Sequence, residues 1–373
     1  MQIHIIGGGI VGLLAANLLI NNGFDVSLSE KNPPDSHSFD ITDIRVSALS
    51  PVSLKILQNL GVWESCLKYP HKFSTFESIK VWEENPESPL IFDGKKIAQS
   101  PLGIIIENSF LRKILWDKVY QQITIISPKS PEEKDILAKA SLVIAADGHD
   151  SQTRKNADIK CHVKDYEQAA IIATIETSKP HHHVARQRFL STGPLAFLPL
   201  SQSHHCSIVW SQPHKNANHV MELEIPDFND ALQSAFGSEL GEVRLISKKL
   251  SFTLKMQHAE EYIKPKLVLV GDSAHTIHPL AGFGVNMGFL DVLCLIKLLN
   301  LAREENRALG SLHILRKYER ERKSENLLML EIVDSFTNPV LRKMGFTLSQ
   351  RFTFLNNFFM NWMSHHGEKN IVI

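Results

Sequence analysis

Hydrophobic and polar positions along this chain follow two regimes, a β–α alternation at both ends and a run of period-two strands between them. Ile3, Ile5 and Ile6 form a short apolar run that reads as a buried strand, and Leu13, Ala16, Leu19 and Ile20 then recur at helical spacing up to Gly23. A second strand over 26–29 ends at Glu30, and 51–60 reads as a helix closed by Gly61. The stretch 76–98 carries short alternating runs around Asp93-Gly94, a hairpin signal. A strand over 103–106 meets Glu107-Asn108 and a helix with Leu111, Ile114, Leu115 and Val119 on one face; a further strand, over 142–145, ends in Asp147-Gly148. Strands over 169–176, 186–190, 195–199, 206–211, 220–224 and 250–256 predict an antiparallel sheet with one helix near 228–236. The β–α pattern resumes with an apolar run over 267–270, a long glycine-rich loop, and a helix with Phe289, Val292, Leu293, Leu295, Ile296 and Leu299.

Nucleotide-type elements are thus expected from three separated stretches, 1–75, 99–165 and 257–335. The β-rich stretches 76–98 and 166–256 are inserted into them as a substrate domain, and 336–373 forms a C-terminal helical, amphipathic segment. The predicted fold class is α/β, a Rossmann-like dinucleotide-binding domain with an inserted antiparallel β-sheet domain.

Composition narrows the partners. The 373 residues suffice for two cores, and 40 Lys+Arg against 40 Asp+Glu argue against nucleic acid. Cys66, Cys161, Cys206 and Cys294 are scattered without metal-ligand spacing, and His181-His182-His183 and His204-His205 read as solvated loops, so no metal site is expected. The start, MQIHIIGGG, reads as a strand rather than a secretory signal, and no run of 18 apolar residues suggests a membrane span. A reducing, cytoplasmic setting is expected, with peripheral membrane association offered by the apolar stretch 346–363.

The chemistry-bearing residues lie in three stretches. Gly7-x-Gly9-x-x-Gly12 sits between a strand and a helix, with Glu30 at the end of the next strand. In that pattern Gly7 makes the turn, Gly9 admits a pyrophosphate, Gly12 allows close packing, and Glu30 accepts ribose hydroxyls. The second is Asp147-Gly148 with Ser151 and Arg154; the third is Gly271-Asp272-Ser273-Ala274-His275 leading to Pro279, Gly282, Gly284, Asn286 and Gly288. A strand that delivers Asp272 and then a glycine-rich loop into a helix start can turn backbone N–H groups toward an electron-rich ligand.

In this order and with Arg45-x-x-Ala48-Leu49-Ser50, the 193–199 segment GPLAFLP, and His275-Thr276-Ile277-His278-Pro279, the chain resembles the single-component FAD-dependent aromatic hydroxylases. Within that para-hydroxybenzoate hydroxylase class it most resembles the ubiquinone-biosynthesis hydroxylases. The resemblance implies that Gly7, Gly9 and Gly12 hold the FAD pyrophosphate and Glu30 the adenosine ribose. Arg45 and Asn108 would contact the cofactor, Asp272 its ribityl chain, Asp147 both FAD and NAD(P)H, and the backbone of Gly284, Val285 and Asn286 the flavin pyrimidine edge. His278, Pro279, Gly282 and Phe283 would surround the reacting centre, with Leu195, Phe197, Leu198 and Trp210 as an apolar roof. Ser109 and Phe283 stand where relatives often carry Arg and Gln. The implied activity is an NAD(P)H-driven monooxygenase that uses O2, through a flavin C4a-hydroperoxide, to hydroxylate a polyprenylated phenol. A membrane surface or a quinone-biosynthesis complex is an implied partner. An isoprenoid-acting flavin oxidase or reductase and a non-catalytic flavin-binding accessory subunit are the alternatives, and the sequence leaves oligomeric state and any catalytic base open.

Overall fold

A computed structural model describes residues 2–34, 42–83, 89–97, 100–279 and 282–337 of the protein. The apolar stretch 346–363, like Leu280 and Ala281, lies outside the described residues. In chain order the first half contains β1 (Gln2–Ile6), α1 (Ile10–Asn21), β2 (Asp25–Ser29), β3 (Val46–Leu49), α2 (Pro51–Asn59), α3 (Trp63–Cys66), β4 (Phe73–Phe76), β5 (Ser78–Trp82), β6 (Leu90–Asp93), β7 (Gly103–Glu107), α4 (Asn108–Val119), β8 (Thr124–Ile126), α5 (Pro131–Lys139), β9 (Leu142–Ala145) and α6 (Gln152–Asn156). The second half contains β10 (Cys161–Thr177), β11 (Val184–Leu190), β12 (Gly193–Pro199), β13 (His205–Pro213), α7 (His214–Glu222), α8 (Ile225–Phe236), β14 (Val243–Leu245), β15 (Leu250–Ala259), β16 (Ile263–Lys264), β17 (Leu267–Leu269), β18 (His275–Thr276), α9 (Phe283–Glu304) and α10 (Leu312–Thr337).

Among the described residues the strands make three sheets. The first, β16-β17-β9-β1-β2-β8, is parallel except at its β16–β17 edge. Parallel strands are covered on both faces, so their residues are apolar without alternation: Ile3, Ile5, Leu142, Ile144, Val268 and Leu269 are all buried. Helix α1 packs on α4 and α9, and α9 on α10. By length and composition α9 could cross a membrane, but 72% of its apolar window is buried inside the protein, which makes it a core helix here. The second sheet, β18-β15-β10-β13-β12-β11-β5-β6 with β14 also on β10, is antiparallel except where β11 meets β5. The third is the small β3-β7-β4 sheet.

The second sheet departs from expectation at two places. Residues 220–224 are not a strand: helix α7 ends at Glu222, because Ala217 and Val220, three apart, are the pair that buries against the sheet. The β10–β15 ladder also starts earlier than expected, with Cys161 opposite Ala259, and crosses the expected boundaries at 165/166 and 256/257 through a bulge between Asp165 and Gln168.

The faces of this sheet have different partners. Leu195, Phe197, Ile208, Trp210, Ile171 and Ala173 point to a core shared with Phe228, Leu232 and Phe236 of α8, where Phe197 stacks on Phe236 at 3.6 Å between centroids. Leu198 and Ala185 point the other way, toward Phe76 and Ile105 of the small sheet. The expected roof of Leu195, Phe197, Leu198 and Trp210 therefore divides. Side chains alternate along a strand, and of the four only Leu198 faces the small sheet.

Candidate active site

The parallel ladder brings the three motif stretches together. Ile6 stands opposite both Ser29 and Ala145, and Ala145 opposite Leu269. Gly7, Glu30, Asp147 and Asp272, which follow these residues, thus leave the sheet at its carboxyl edge, where open α/β sheets bind ligands. Gly7 has φ +106°, and a Cβ there would overlap the Ala146 carbonyl; one on Gly12 would overlap the Gly7 carbonyl oxygen. Gly9 is different: a Cβ there meets nothing within 4 Å. It begins α1 without a side-chain cap and with no acid in the first turn, so N–H groups and the positive end of the helix dipole are left for an anion.

Glu30 is held in place by the protein. Its carboxylate accepts the Gly8 N–H at 2.6 Å and the Asn32 N–H at 2.7 Å. Arg112 of α4 completes the arrangement, donating to the Gly8 carbonyl (2.7 Å) and the Asn32 carbonyl (2.6 Å) with a guanidinium nitrogen 3.4 Å from Glu30. Sequence reading missed Arg112. Nothing in its position, one turn past Asn108 on a helix with many charges, marks it out until the chain folds.

Asp147 accepts from Ser151 Oγ (2.5 Å) and from Thr153 N–H (3.0 Å) and Oγ1 (2.9 Å), so it caps the turn that its own motif makes. Arg154, buried, donates to the Ser273 carbonyl (2.7 Å) and the His149 carbonyl (3.0 Å) and ties the second motif to the third. Asp272 is an exposed residue at the start of the loop. The protein mass around it nevertheless pushes its pKa up, outweighing His275 and His149, and a more basic carboxylate is a better acceptor for hydroxyl donors.

Behind this loop lies a buried cluster that the sequence did not announce. Asp291 of α9 accepts the Gly271 N–H at 3.0 Å, His275 Nε2 at 2.6 Å, Arg322 Nε at 2.9 Å and Asn326 Nδ2 at 3.0 Å. Burial would raise its pKa, but His275 and Arg322 overcome that and hold the carboxyl well below the usual range. His275 is therefore turned into the protein interior by Asp291.

The opposite wall comes from the small sheet. Asn108 starts α4, accepts from Ser47 Oγ at 2.7 Å and donates its N–H to the Arg45 carbonyl at 3.0 Å. Asp43 accepts both the Arg45 N–H and Ser109 N–H (3.0 and 3.1 Å), while the Arg45 guanidinium stays largely exposed. Gly282 adopts φ +67° before α9, and a Cβ there would come 2.8 Å from the Ala48 Cβ. Asn286 clamps this junction: it accepts from Ser50 N–H (2.9 Å) and Ser53 Oγ (2.7 Å) and donates to the carbonyls of Ala48 (2.7 Å) and Gly282 (3.1 Å). Helix α9 also begins without a side-chain cap.

Between the small sheet and the large one is an open-mouthed cavity of about 230 Å³. Arg45, Asn108, Pro279 and Gly282 line one end, and Val46, Phe76, Ile105, Ile172, Leu198 and Val209 make it apolar. His278 is buried, packs edge-on against Tyr166 at 5.1 Å, and has its pKa pushed down to about 4 by burial.

A family model described as "FAD binding domain" matches residues 1–97 and 118–330. The 3-demethoxyubiquinol 3-hydroxylase of Escherichia coli (strain K12) is 32% identical over 351 residues, covering 90% of this chain and 88% of that protein. The chain belongs to the FAD-dependent aromatic hydroxylases, in the ubiquinone-hydroxylase family. It is an FAD-dependent monooxygenase. Another relative, the ubiquinone hydroxylase UbiL of Rhodospirillum rubrum, is 30% identical over 384 residues, covering 96% of this chain and 88% of that one. The solved structure of P. aeruginosa PqsL in complex with 2-aminobenzoylacetate shares the fold with a TM-score of 0.75 at 19% identity, covering 90% of this chain and 95% of that one.

The residues of this hydroxylase fit FAD. Two uncapped helix starts, open space beside Gly9, and a Gly284 whose nearest neighbour to an added Cβ is Ile277 Cγ2 at 3.8 Å leave backbone donors accessible to a ligand. Gly7, Gly9, Gly12, Glu30, Asp147 and Asp272 share one edge of the parallel sheet; Arg45, Asn108, Pro279 and Gly282 share the cavity. The Asn286 side chain is committed to the protein, so only its backbone is left for the cofactor. The side chain of Phe283 lies outside the described residues.

Proposed function

We propose that this protein hydroxylates the aromatic ring of a polyprenylated phenol in ubiquinone biosynthesis, with NAD(P)H as transient reductant and O2 as co-substrate. The observation that carries the reading is the cavity: a mainly apolar chamber whose lining includes Pro279 and Gly282 of the loop expected to meet the flavin. Such a chamber suits a ring with a hydrocarbon tail. The named relatives are a 3-demethoxyubiquinol hydroxylase and a ubiquinone hydroxylase, which supports the same substrate class.

Bound FAD, once reduced, supplies oxygen activated from O2. The protein's part is placement, charge and dryness. Gly9 and Gly12 would bring the backbone and the α1 dipole to the pyrophosphate, Glu30 and Asp272 would accept from the ribose and ribityl hydroxyls, and Arg45 and Asn108 would close over the cofactor. The N–H groups of Gly284 and Val285 at the start of α9 would face the edge where reduced flavin carries negative charge. Pro279 and Gly282 shape the chamber, while His278, neutral near pH 7, is buried outside its lining and places no cation there. The aliphatic lining keeps water from the reacting ring.

Deleting the gene and analysing quinone intermediates by mass tests the proposal. A polyprenylated intermediate lacking one ring hydroxyl is expected to accumulate; an unchanged quinone profile would refute it. The apolar stretch 346–363 would hold the enzyme at a membrane surface or in a quinone-biosynthesis assembly. Removing 346–373 is expected to release the protein from membranes or partners with FAD binding retained, and equal loss of both would contradict that role.

A further inference from the structure

Most of the polar groups that line the cavity have partners or belong to its cofactor end. Arg45 pairs with Asp43, Asn108 accepts from Ser47, and Arg186 turns back to Glu239 at 2.8 Å and to the His181 and Val184 carbonyls. Gln187, half-buried, and Ser207 are the exceptions among the described residues, and Ser207 is the one that is fully buried. It is 1% exposed, and its Oγ has no hydrogen-bond partner among the described residues. A buried hydroxyl left unpaired is unfavourable, and native proteins rarely keep one without a use.

Its direction follows from the sheet register. On β13, Cys206 and Ile208 point into the core with α8, so Ser207 and Val209 point to the other face, where both line the cavity. Ser207 stands opposite Leu198 on one side and Thr174 on the other, and Val209 opposite Ala196 and Ile172, so the hydroxyl sits on a mainly aliphatic floor.

We propose that Ser207 is the substrate's hydroxyl anchor, pairing with the phenolic oxygen of the ring while the aliphatic floor takes the rest of the ring and the tail. The assignment rests on the prenylated-phenol reading above. An oxygen held at one point of a mainly aliphatic floor limits rotation of the ring in its plane, and so selects which ring carbon meets the flavin. Serine can donate to or accept from such an oxygen.

The test uses the FAD-loaded enzyme and a short-chain 2-prenylphenol, with binding followed by perturbation of the flavin absorbance. The corresponding prenylbenzene, which lacks the hydroxyl, is the control ligand. Wild type is expected to bind the phenol roughly tenfold more tightly than the prenylbenzene, and Ser207→Ala to lose most of that difference. Ser207→Thr, which keeps a hydroxyl, should restore part of it. Ser207→Ala should also leave the melting temperature unchanged or raised, since it removes a hydroxyl with no protein partner, and should yield less hydroxylated product per NAD(P)H consumed. An unchanged phenol preference in Ser207→Ala, with wild type still hydroxylating the phenol, overturns the anchor and leaves the substrate reading standing. Failure of wild type to bind or hydroxylate any prenylated phenol overturns both.

Discussion

A methyl group added at Gly9 meets open space, whereas one added at Gly12 meets the Gly7 carbonyl oxygen. The two glycines serve different purposes, one leaving room for a ligand and one for the protein's own backbone. Gly9→Ala is expected to keep the thermal stability of the FAD-free protein while weakening FAD binding at least tenfold. Gly12→Ala should cost on the order of 3 kcal/mol in folding, seen as a lower melting temperature before any cofactor is added. His258, opposite His275 across the β15–β18 ladder, supplies a pH-dependent counterpart. It is buried against Tyr262, 3.1 Å from the hydroxyl, and burial, with His275 and Lys323, pushes its pKa down to about 4. A histidine lowered in this way gives its full contribution to stability above its ordinary pKa of about 6.5 and loses it as the pH falls toward 4. Folding stability should therefore fall between pH 6.5 and 4, by about 2–3 kcal/mol from this group, seen as a lower melting temperature. His258→Gln should make that part of the profile shallower, since His278 contributes as well, and an unchanged profile would rule His258 out as a source.

At the scale of elements, the start of α9 is positioned from two sides. Asn286 fastens it to β3 and α2, and Asp291, one turn and a half further on, fastens the same helix to Gly271, His275 and Arg322. Asn286→Ala leaves the Ser50 N–H and the Ala48 carbonyl without their partner, a loss of about 2–4 kcal/mol. It should weaken FAD binding as well, because Gly282 to Val285 lose their register against β3. Asp291→Asn strands two cationic or hydrogen-bonding partners in the core and is expected to destabilise by about 3–5 kcal/mol in chemical denaturation. The sequence made the glycine-rich entry to α9 legible, since glycines and an apolar helix are local signals. The clamps were not legible, because Asn286 pairs with residues more than two hundred positions away and Asp291 reads as one polar residue in an apolar helix. Residues 220–224 misled for a related reason: a short apolar and acidic stretch alternates like a strand, and only the packing of Ala217 with Val220 decides for a helix.

Across the whole molecule, the parallel sheet gathers motifs from the two ends and the middle of the chain at one edge, and the antiparallel sheet closes a chamber over the small sheet. The first arrangement could be read from strand, glycine and acid in succession. The second could not, since which face of β12 and β13 points to the chamber depends on a one-residue register, and three of the four residues expected to form the roof pack instead on the helical side. Arg112 and Ser207 were invisible for the same reason: each matters through a neighbour brought near by the fold. The proposed chemistry joins these two arrangements, with the cofactor laid along one and the ring held in the other. Turnover of the FAD-loaded enzyme with a 2-polyprenylphenol and NAD(P)H under oxygen-18 gas tests that union most directly. The account predicts a product with one added ring hydroxyl whose oxygen is the heavy isotope; a product that gains no oxygen from the gas would contradict it.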